Sequence, residues 1–84
     1  MADDTAEHFV YIVRCSDGSL YTGYTTDVAR RVAEHNAGTG AKYTRGRRPV
    51  QLVYQEAHAT VSDAMQREYA IKQWRRQKKE RLLA

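Results

Sequence analysis

The chain has 84 residues, of which 42% are hydrophobic and 10% aromatic, and it carries a formal net charge of +4. A chain this short buries only about 60% of its extended surface on folding, so we expect one thin-cored domain over residues 1–84, with residues 1–7 disordered. No apolar run approaches the roughly 18 residues of a membrane span, and the acidic start is unlike a signal peptide. The lone Cys15 excludes an internal disulfide, which suits a reducing compartment. We therefore expect a cytoplasmic protein without membrane association.

The first predicted elements are two strands. Residues 9–14 are β-branched and aromatic, and both alternating sets of their side chains are apolar, which indicates a strand covered on both faces. Residues 16–19, Ser-Asp-Gly-Ser, are typical of a turn, and residues 20–25 return as the second strand. The sequence therefore predicts a β-hairpin.

The length of the turn decides how two tyrosines are placed. A two-residue loop at Asp17 and Gly18 would point Tyr11 and Tyr21 to opposite faces of the sheet. A loop with an odd number of residues, with Gly18 in a positive-φ bulge position, would place both on one face. A site that uses both phenols therefore requires the odd loop.

The later elements are mostly helical. Thr26 and Asp27 provide an N-cap and Gly38 a C-terminal stop, which predicts a helix over residues 28–37. Further along, the pattern predicts a glycine-rich basic loop at 38–49, a strand at 50–57, a helix from Thr60 or Ser62 to about Trp74, and a continuing helix after a bend at 75–83.

Basic residues are concentrated in the second half of the chain. Residues 1–41 hold three basic and six acidic side chains, whereas residues 42–84 hold eleven basic and four acidic ones. Clustered Lys and Arg favour a polyanionic partner, because they release the counterions of nucleic-acid phosphates. The alternative is an ordinary solvated basic surface; we favour nucleic acid.

Two polar residues share one face of the first helix. Arg31 and His35 are four residues apart, so their side chains project in the same direction. Arg30 can pair with Glu34 at the same spacing, which would leave Arg31 available for a phosphate. The alternative is a solvated polar face without a function.

Glu68 interrupts the apolar stripe of the second long helix. A carboxylate drawn towards a core needs a partner, in the simplest case a salt bridge to Arg67, Lys72 or Arg31. The other interpretation is a ligand for Mg²⁺, which commonly binds through one or two protein carboxylates, water and substrate phosphate. Spacing alone leaves both open. One cysteine and three scattered histidines exclude a zinc site.

Together these residues resemble the signature of the GIY-YIG nuclease superfamily. Phe-Val-Tyr at 9–11 is similar to the first triplet of that family, and Tyr-Thr-Gly at 21–23 to the second. Arg31, His35 and Glu68 stand where the family's helical arginine, its Tyr-or-His and its metal-binding glutamate belong. The resemblance covers nearly the whole chain and is greatest to short, stand-alone bacterial members related to Slx-type nucleases.

The resemblance implies an α/β (α+β) domain in which a small three-stranded, mainly antiparallel sheet is flanked by helices in the order β-β-α-β-α-α. It also implies an endonuclease that hydrolyses phosphodiester bonds of structured or branched DNA in repair or recombination, with RNA as the alternative substrate. The sequence does not give the oligomeric state, and we favour a monomer. A non-catalytic nucleic-acid-binding module with the same fold is the alternative function. The residues expected to grip the nucleic-acid backbone are Lys42, Arg45, Arg47, Arg48, Arg75, Arg76, Lys78 and Lys79.

The family's mechanism implies a role for each candidate residue. Glu68 would hold a single Mg²⁺ or Mn²⁺ ion, Arg31 would stabilise negative charge on the phosphoryl group, and Tyr11 or Tyr21 would activate the attacking water. An unperturbed phenol has a pKa near 10, which makes it a poor base at neutral pH. Either His35 would take its proton, or the metal ion would lower the pKa of a bound water. The sequence leaves both open.

Overall fold

The computed structural model describes residues 7–83 of the chain. Its strands and helices are β1 (His8–Arg14), β2 (Leu20–Thr25), α1 (Val28–Ala37), α2 (Lys42–Arg45), β3 (Gln51–His58), α3 (Val61–Lys72) and α4 (Arg76–Leu82). None of the helices in this range has the length and apolar character that a bilayer crossing requires. The disorder predicted at the N-terminus falls, apart from Glu7, outside the described residues.

The three strands form one antiparallel sheet in the order β2-β1-β3. β1 is therefore the central strand, and Val10, Tyr11, Ile12 and Val13 are each at most 1% exposed, although successive side chains point to opposite faces. The predicted architecture and order of elements are confirmed. So is the expectation that the first strand is covered on both faces.

The loop between β1 and β2 is of the odd kind. Five residues connect the two strands, and Gly18 among them has a φ of 86°. The register pairs Val13 with Tyr21, and Val13 lies two residues from Tyr11, so both tyrosines project from the same side of the sheet. We call this side the tyrosine face.

Helix α1 has the bounds and caps that the sequence predicts. The carboxylate of Asp27 accepts a hydrogen bond from the backbone N–H of Arg30 at 3.1 Å, and Gly38 ends the helix in the left-handed conformation. Thr60 caps α3 in the same way, with its hydroxyl 3.1 Å from the backbone nitrogen of Asp63. α3 ends slightly earlier than predicted, and the chain bends before α4.

The segment 38–49 contains a short helix where the sequence predicts only a loop. In α2 the backbone N–H and the hydroxyl of Thr44 both donate to the carbonyl of Ala41, at 3.1 and 3.0 Å. Thr44 is fully buried beneath α1. A single turn stabilised by one buried residue is too short to produce a periodic sequence pattern, which explains the wrong prediction.

The long helices lie on opposite faces of the sheet. Ala64 and Ile71 of α3 pack in the same core cluster as Val10 of β1. Val32 of α1 packs in a second cluster around Tyr11, on the tyrosine face. Since β2 is an edge strand, side chains of α3 can reach the tyrosine face around the free edge of the sheet at β2.

Candidate active site

Tyr11 lies at the centre of the tyrosine face and is 1% exposed. Its ring extends across β2 above Gly23, its partner in the register. A Cβ atom at position 23 would lie 2.5 Å from the Tyr11 phenol oxygen, closer than packed atoms approach one another. The glycine of the second triplet is therefore required for the position of the tyrosine of the first.

We expect Gly23→Ala to lower the free energy of unfolding by about 1–3 kcal/mol, because the buried Tyr11 ring has little room to yield to the added methyl group. Urea denaturation measures this change. Gly46→Ala is the matched control, since a Cβ at Gly46 would meet nothing within 4 Å, and we expect it to change stability by less than about 0.5 kcal/mol. Equal stabilities of Gly23→Ala and the parent would contradict the described packing.

His35 of α1 is fully buried next to Tyr11. Its Nε2 lies 2.7 Å from the Tyr11 phenol oxygen, and its Nδ1 lies 2.7 Å from the hydroxyl oxygen of Thr44. The Tyr21 ring meets the imidazole edge-on, with ring centroids 5.3 Å apart. Burial, followed by the charge of Arg31, lowers the pKa of His35. The ring is therefore neutral near pH 7 and able to accept a proton.

The phenol of Tyr11 is protonated at neutral pH. Burial raises the pKa of Tyr11 to about 12, although the nearby Arg31 guanidinium acts in the opposite direction. A phenol with this pKa can remove a proton from water only while it gives its own proton to another group. Within the described residues, Nε2 of His35 is in hydrogen-bond contact with the phenol and can be that group.

Arg31 lies on the predicted face of α1, but its pairing differs from the prediction. Nη1 of Arg31 is 2.9 Å from Oε1 of Glu34, whereas Nε of Arg30 is 3.7 Å from Oε2 of the same carboxylate. The predicted pair of Arg30 and Glu34 is therefore present, but the expectation that it leaves Arg31 unpaired is wrong, because residues three and four positions apart are both neighbours on a helix. The Arg31 side chain remains 29% exposed, so it keeps contact with solvent.

Glu68 reaches the rim of the site from α3. Its Oε2 lies 3.1 Å from Nζ of Lys72, and its side chain is 12% exposed while that of Lys72 is 44% exposed. Among the salt-bridge partners considered from sequence, Lys72 is thus the observed one, and Arg67 pairs with Glu56 instead. Nζ of Lys72 also lies 5.9 Å from the centroid of the Tyr21 ring. This contact joins Glu68 to the tyrosine face around the edge of β2.

The surroundings of Glu68 fit a divalent ion that is held mainly by water and substrate. Between residues 7 and 83, no three His, Cys, Asp or Glu side chains converge on one point, so a site closed by protein ligands is not formed there. A single carboxylate is the kind of donor that Mg²⁺ accepts, because this ion keeps several of its waters. The Lys72 ammonium beside Glu68 shows that the carboxylate pairs with a positive charge at this position.

The fold therefore brings together four of the five candidate catalytic residues: Tyr11, Tyr21, Arg31 and His35. The fifth, Glu68, lies beside this group, and Lys72 connects the two because it pairs with Glu68 and lies near the Tyr21 ring.

Two further neighbours of the site were missed by the sequence reasoning. The Tyr43 ring stacks on Tyr21 with centroids 5.8 Å apart, and the Arg47 guanidinium lies 4.0 Å above Tyr43. Thr44 contacts His35, as described above. Both residues lie in a glycine-rich segment without helical or strand periodicity. The sequence signal for Tyr43 and Thr44 was the run Gly-Ala-Lys-Tyr-Thr at 40–44, which resembles the Slx-related branch but gave neither residue a role.

The predicted nucleic-acid-binding residues differ in how strongly the protein itself holds them. Nζ of Lys78 lies 4.4 Å from the centroid of the Trp74 ring. The pKa of Lys79 is lowered by burial and, to a smaller extent, by the charge of Lys72. Three arginines make intramolecular hydrogen bonds: Arg47 to Asp17, Arg48 to the carbonyls of Asn36 and Arg45, and Arg76 to the carbonyl of Gly18 and to Glu80. Among the described residues, no side-chain hydrogen bond or ion pair is made by Lys42, Arg45 or Arg75.

Comparisons with known proteins identify a family model, curated relatives and solved structures that this chain resembles. Residues 7–81 match a family model described as the GIY-YIG catalytic domain. A UPF0213 protein of Staphylococcus aureus strain Mu3 is 67% identical over 76 residues, which make up 90% of this chain and 93% of the relative. The solution structure of the UPF0213 protein BH0048 of Bacillus halodurans has 56% identity and a TM-score of 0.59, covering 89% of this chain and 80% of that one. The solution structure of protein EF2693 of E. faecalis has 44% identity and a TM-score of 0.62, and the match covers 96% of this chain and 85% of that one.

Proposed function

Because this chain belongs to the GIY-YIG family, and to its UPF0213 group of short bacterial proteins, we propose that it is a divalent-metal-dependent endonuclease. Membership of a nuclease family supports a nuclease-type function. The finer proposal is that the protein, as a cytoplasmic monomer, hydrolyses phosphodiester bonds of structured or branched DNA in repair or recombination. RNA is the alternative substrate.

The observation that carries this proposal is the contact between Tyr11 and His35. The phenol and the imidazole are both buried and lie 2.7 Å apart, with Tyr21 against the same ring. A domain that only bound phosphates would need cationic side chains, not a buried proton donor and acceptor beside them. General acid–base chemistry requires such a pair.

In the proposed reaction, Tyr11 removes a proton from the attacking water while its own proton moves to His35. The water oxygen forms a bond to phosphorus, and the bond from phosphorus to the 3′ oxygen breaks, so that the 3′ oxygen leaves and is protonated by solvent. Tyr11 is favoured over Tyr21 as the base because, among the described residues, its hydroxyl and not that of Tyr21 is hydrogen-bonded to His35.

Arg31 supplies positive charge beside the reacting group. Its guanidinium lies close enough to Tyr11 to act against the rise in the tyrosine's pKa, so it also favours the transient phenolate. Negative charge that develops on the phosphoryl oxygens in the transition state would be stabilised by the same cation. Glu34 holds the guanidinium in place at 2.9 Å.

Glu68 would hold the Mg²⁺ or Mn²⁺ ion at a single site. When bound, such an ion acts as a Lewis acid that stabilises negative charge on the phosphoryl oxygens. In this proposal one substrate phosphate would meet both the ion at Glu68 and the guanidinium of Arg31. Lys72 neutralises the carboxylate in the absence of the ion.

The surface around α2 and the N-terminal part of α4 would hold the nucleic-acid backbone. The exposed side chains without an observed partner in the described range, Lys42, Arg45 and Arg75, are the first candidates for phosphate contacts. The other predicted binding residues would add positive potential, although intramolecular contacts restrict how far their side chains can move towards a phosphate. These residues are Arg47, Arg48, Arg76, Lys78 and Lys79.

A non-catalytic nucleic-acid-binding module is the second candidate function. One observation favours it: the Glu68 carboxylate, which catalysis would need for a metal ion, is paired with Lys72 at 3.1 Å. If Lys72 held Glu68 permanently, the fold and the basic surface would bind nucleic acid without cleaving it.

Cleavage of defined substrates separates the two functions. We expect purified protein to cut four-way junctions and flaps in the presence of Mn²⁺ or Mg²⁺, and to cut linear duplex of the same sequence more slowly. EDTA should abolish cleavage of all these substrates. Binding that weakens with salt, but without cutting of any DNA or RNA substrate, would favour the binding module. Equal cutting of linear and branched DNA would remove the proposed preference for branched substrates.

A further inference from the structure

A buried chain of hydrogen bonds continues from the Tyr11–His35 pair to the backbone of α2. Nδ1 of His35 is 2.7 Å from Oγ1 of Thr44, and Oγ1 is 3.0 Å from the carbonyl oxygen of Ala41. Thr44 and His35 are both 0% exposed. Water therefore does not compete for these contacts, and each donor must find its acceptor within the protein.

The direction of each hydrogen bond follows from the chemistry of its ends. The carbonyl of Ala41 can only accept, so the single hydroxyl hydrogen of Thr44 is directed to it. With the hydroxyl hydrogen directed to Ala41, the contact between Oγ1 and the imidazole uses the hydrogen of His35, which would then lie on Nδ1. In a neutral imidazole the other nitrogen, Nε2, carries a lone pair. That lone pair faces the hydroxyl of Tyr11.

The loop before α2 is shaped to keep Thr44 in this position. A Cβ at Gly40 would lie 2.5 Å from Nδ1 and 2.8 Å from Cα of His35. The backbone at Gly40 therefore packs directly on the histidine, four residues before Thr44. This close packing explains why a residue without a side chain is needed at position 40.

On this basis, and resting on the function proposed above, we infer that Thr44 is a positioning residue: its hydroxyl holds His35 in the Nδ1–H tautomer, so that Nε2 is the acceptor for the Tyr11 proton. The opposite tautomer would present an N–H to Tyr11. Two donors would then face each other, and Tyr11 could not release its proton in that direction.

The proton transfer balances without another reactant. The Tyr11 O–H bond breaks and an Nε2–H bond forms, which converts neutral His35 into an imidazolium with a hydrogen on each nitrogen. The proton of the attacking water replaces the one that Tyr11 has lost. After product release, Nε2 returns its proton through the Tyr11 oxygen to solvent, and the Thr44 contact is unchanged throughout.

The groups around the imidazole are consistent with this assignment. The described residues that face it are Tyr11 and Tyr21 from the hairpin, Arg31 and Glu34 from its own helix, and Thr44 from α2. Among them only Glu34 favours a charged ring, and Glu34 is paired with Arg31. The resting ring is therefore neutral, and its tautomer is decided by Thr44.

The tautomer can be measured without any cleavage. Long-range ¹H–¹⁵N correlation spectra of the metal-free protein report which ring nitrogen of His35 carries the hydrogen, and His35→Gln assigns the signals. We expect Nδ1–H in the parent and in Thr44→Ser, and a mixture or Nε2–H in Thr44→Val, which matches threonine in shape but lacks the hydroxyl. Nε2–H in the parent would overturn the inference even if Thr44→Val fails to fold.

Cleavage then tests the consequence. We expect Thr44→Val to lower kcat by about 10- to 100-fold with DNA affinity unchanged, and Thr44→Ser to recover most of the rate. Thr44→Val with the parental rate would overturn the inference. A parent that cleaves no substrate, but has the Nδ1–H tautomer that is lost in Thr44→Val, would refute the nuclease proposal while upholding the role of Thr44 in positioning His35.

Discussion

Glu68→Gln should lower the rate of metal-dependent cleavage by about 1,000-fold or more while leaving DNA bound. The substitution keeps the shape of the side chain but removes the negative charge that would hold the divalent ion. Loss of Lewis-acid stabilisation is worth several kcal/mol in the transition state, and each 1.4 kcal/mol corresponds to a factor of ten in rate. Single-turnover cleavage of a labelled junction at saturating protein measures the change.

The same variant should remain folded. Its ion pair with Lys72 is partly exposed, with the lysine side chain 44% exposed, and such pairs contribute about 0–1 kcal/mol. Asp63→Asn is the matched control, because it removes one acidic charge from α3 in the first turn, five residues away from Glu68. We expect it to change DNA affinity as Glu68→Gln does and to leave the cleavage rate unaltered.

Direct measurement of Mn²⁺ binding gives a second readout for Glu68. In the absence of DNA, Glu68→Gln should lose Mn²⁺ affinity relative to the parent and to Asp63→Asn. Cleavage and Mn²⁺ binding that both survive in Glu68→Gln would show that the ion is held elsewhere. The role proposed for this residue would then be wrong.

Tyr11→Phe should reduce the cleavage rate by about 100- to 10,000-fold, the range typical of a lost general base. The ring that fills the space above Gly23 is kept, but the hydroxyl that connects water to His35 is removed. DNA affinity should change little, because Tyr11 is 1% exposed and cannot contribute much surface to an interface.

This variant leaves Nε2 of His35 without its hydrogen-bond donor in a buried place, which we expect to cost about 1–3 kcal/mol of unfolding free energy. Assays should therefore be run well below the unfolding transition of the variant. Tyr69→Phe is a suitable control, since Tyr69 is 69% exposed on α3 and its hydroxyl is remote from the imidazole contacts described above.

Tyr21→Phe tests which phenol is the base. Tyr21 packs edge-on against His35, while the hydrogen bond to the imidazole comes from Tyr11. We expect Tyr21→Phe to have the smaller effect on rate. Parental activity in Tyr11→Phe together with a large loss in Tyr21→Phe would reverse the assignment.

The hairpin and α1 illustrate how far sequence reasoning could go. The sequence predicted a strand over residues 9–14, the turn containing Gly18 and the caps of α1, and all three are observed. Each depends on interactions between residues only a few positions apart, so the neighbouring sequence contains the information. The argument that a shared site needs an odd loop also held, because strand geometry fixes the side on which every second residue lies.

The contacts between elements were harder to predict. Arg31, rather than Arg30 alone, pairs with Glu34, and Glu68 pairs with Lys72 while Arg67 turns to Glu56 on β3. Each of these charges has several partners within reach along its own helix. The choice depends on which neighbour the packing of the helix against the sheet leaves available.

The amino-acid sequence alone determined the order of the strands and long helices, the condition under which the two tyrosines share a face, and the set of residues that resembles a nuclease site. Only the tertiary structure decided that Tyr11 lies over Gly23, that His35 stands between Tyr11 and Thr44, and that Glu68 reaches them around the edge of β2. Periodicity and capping act within about one helical turn of the chain. The contacts that arrange this site join residues at least 9 positions apart, such as His35 with Thr44 at 9 and Tyr11 with His35 at 24. They form only when the helices pack on the two faces of the sheet.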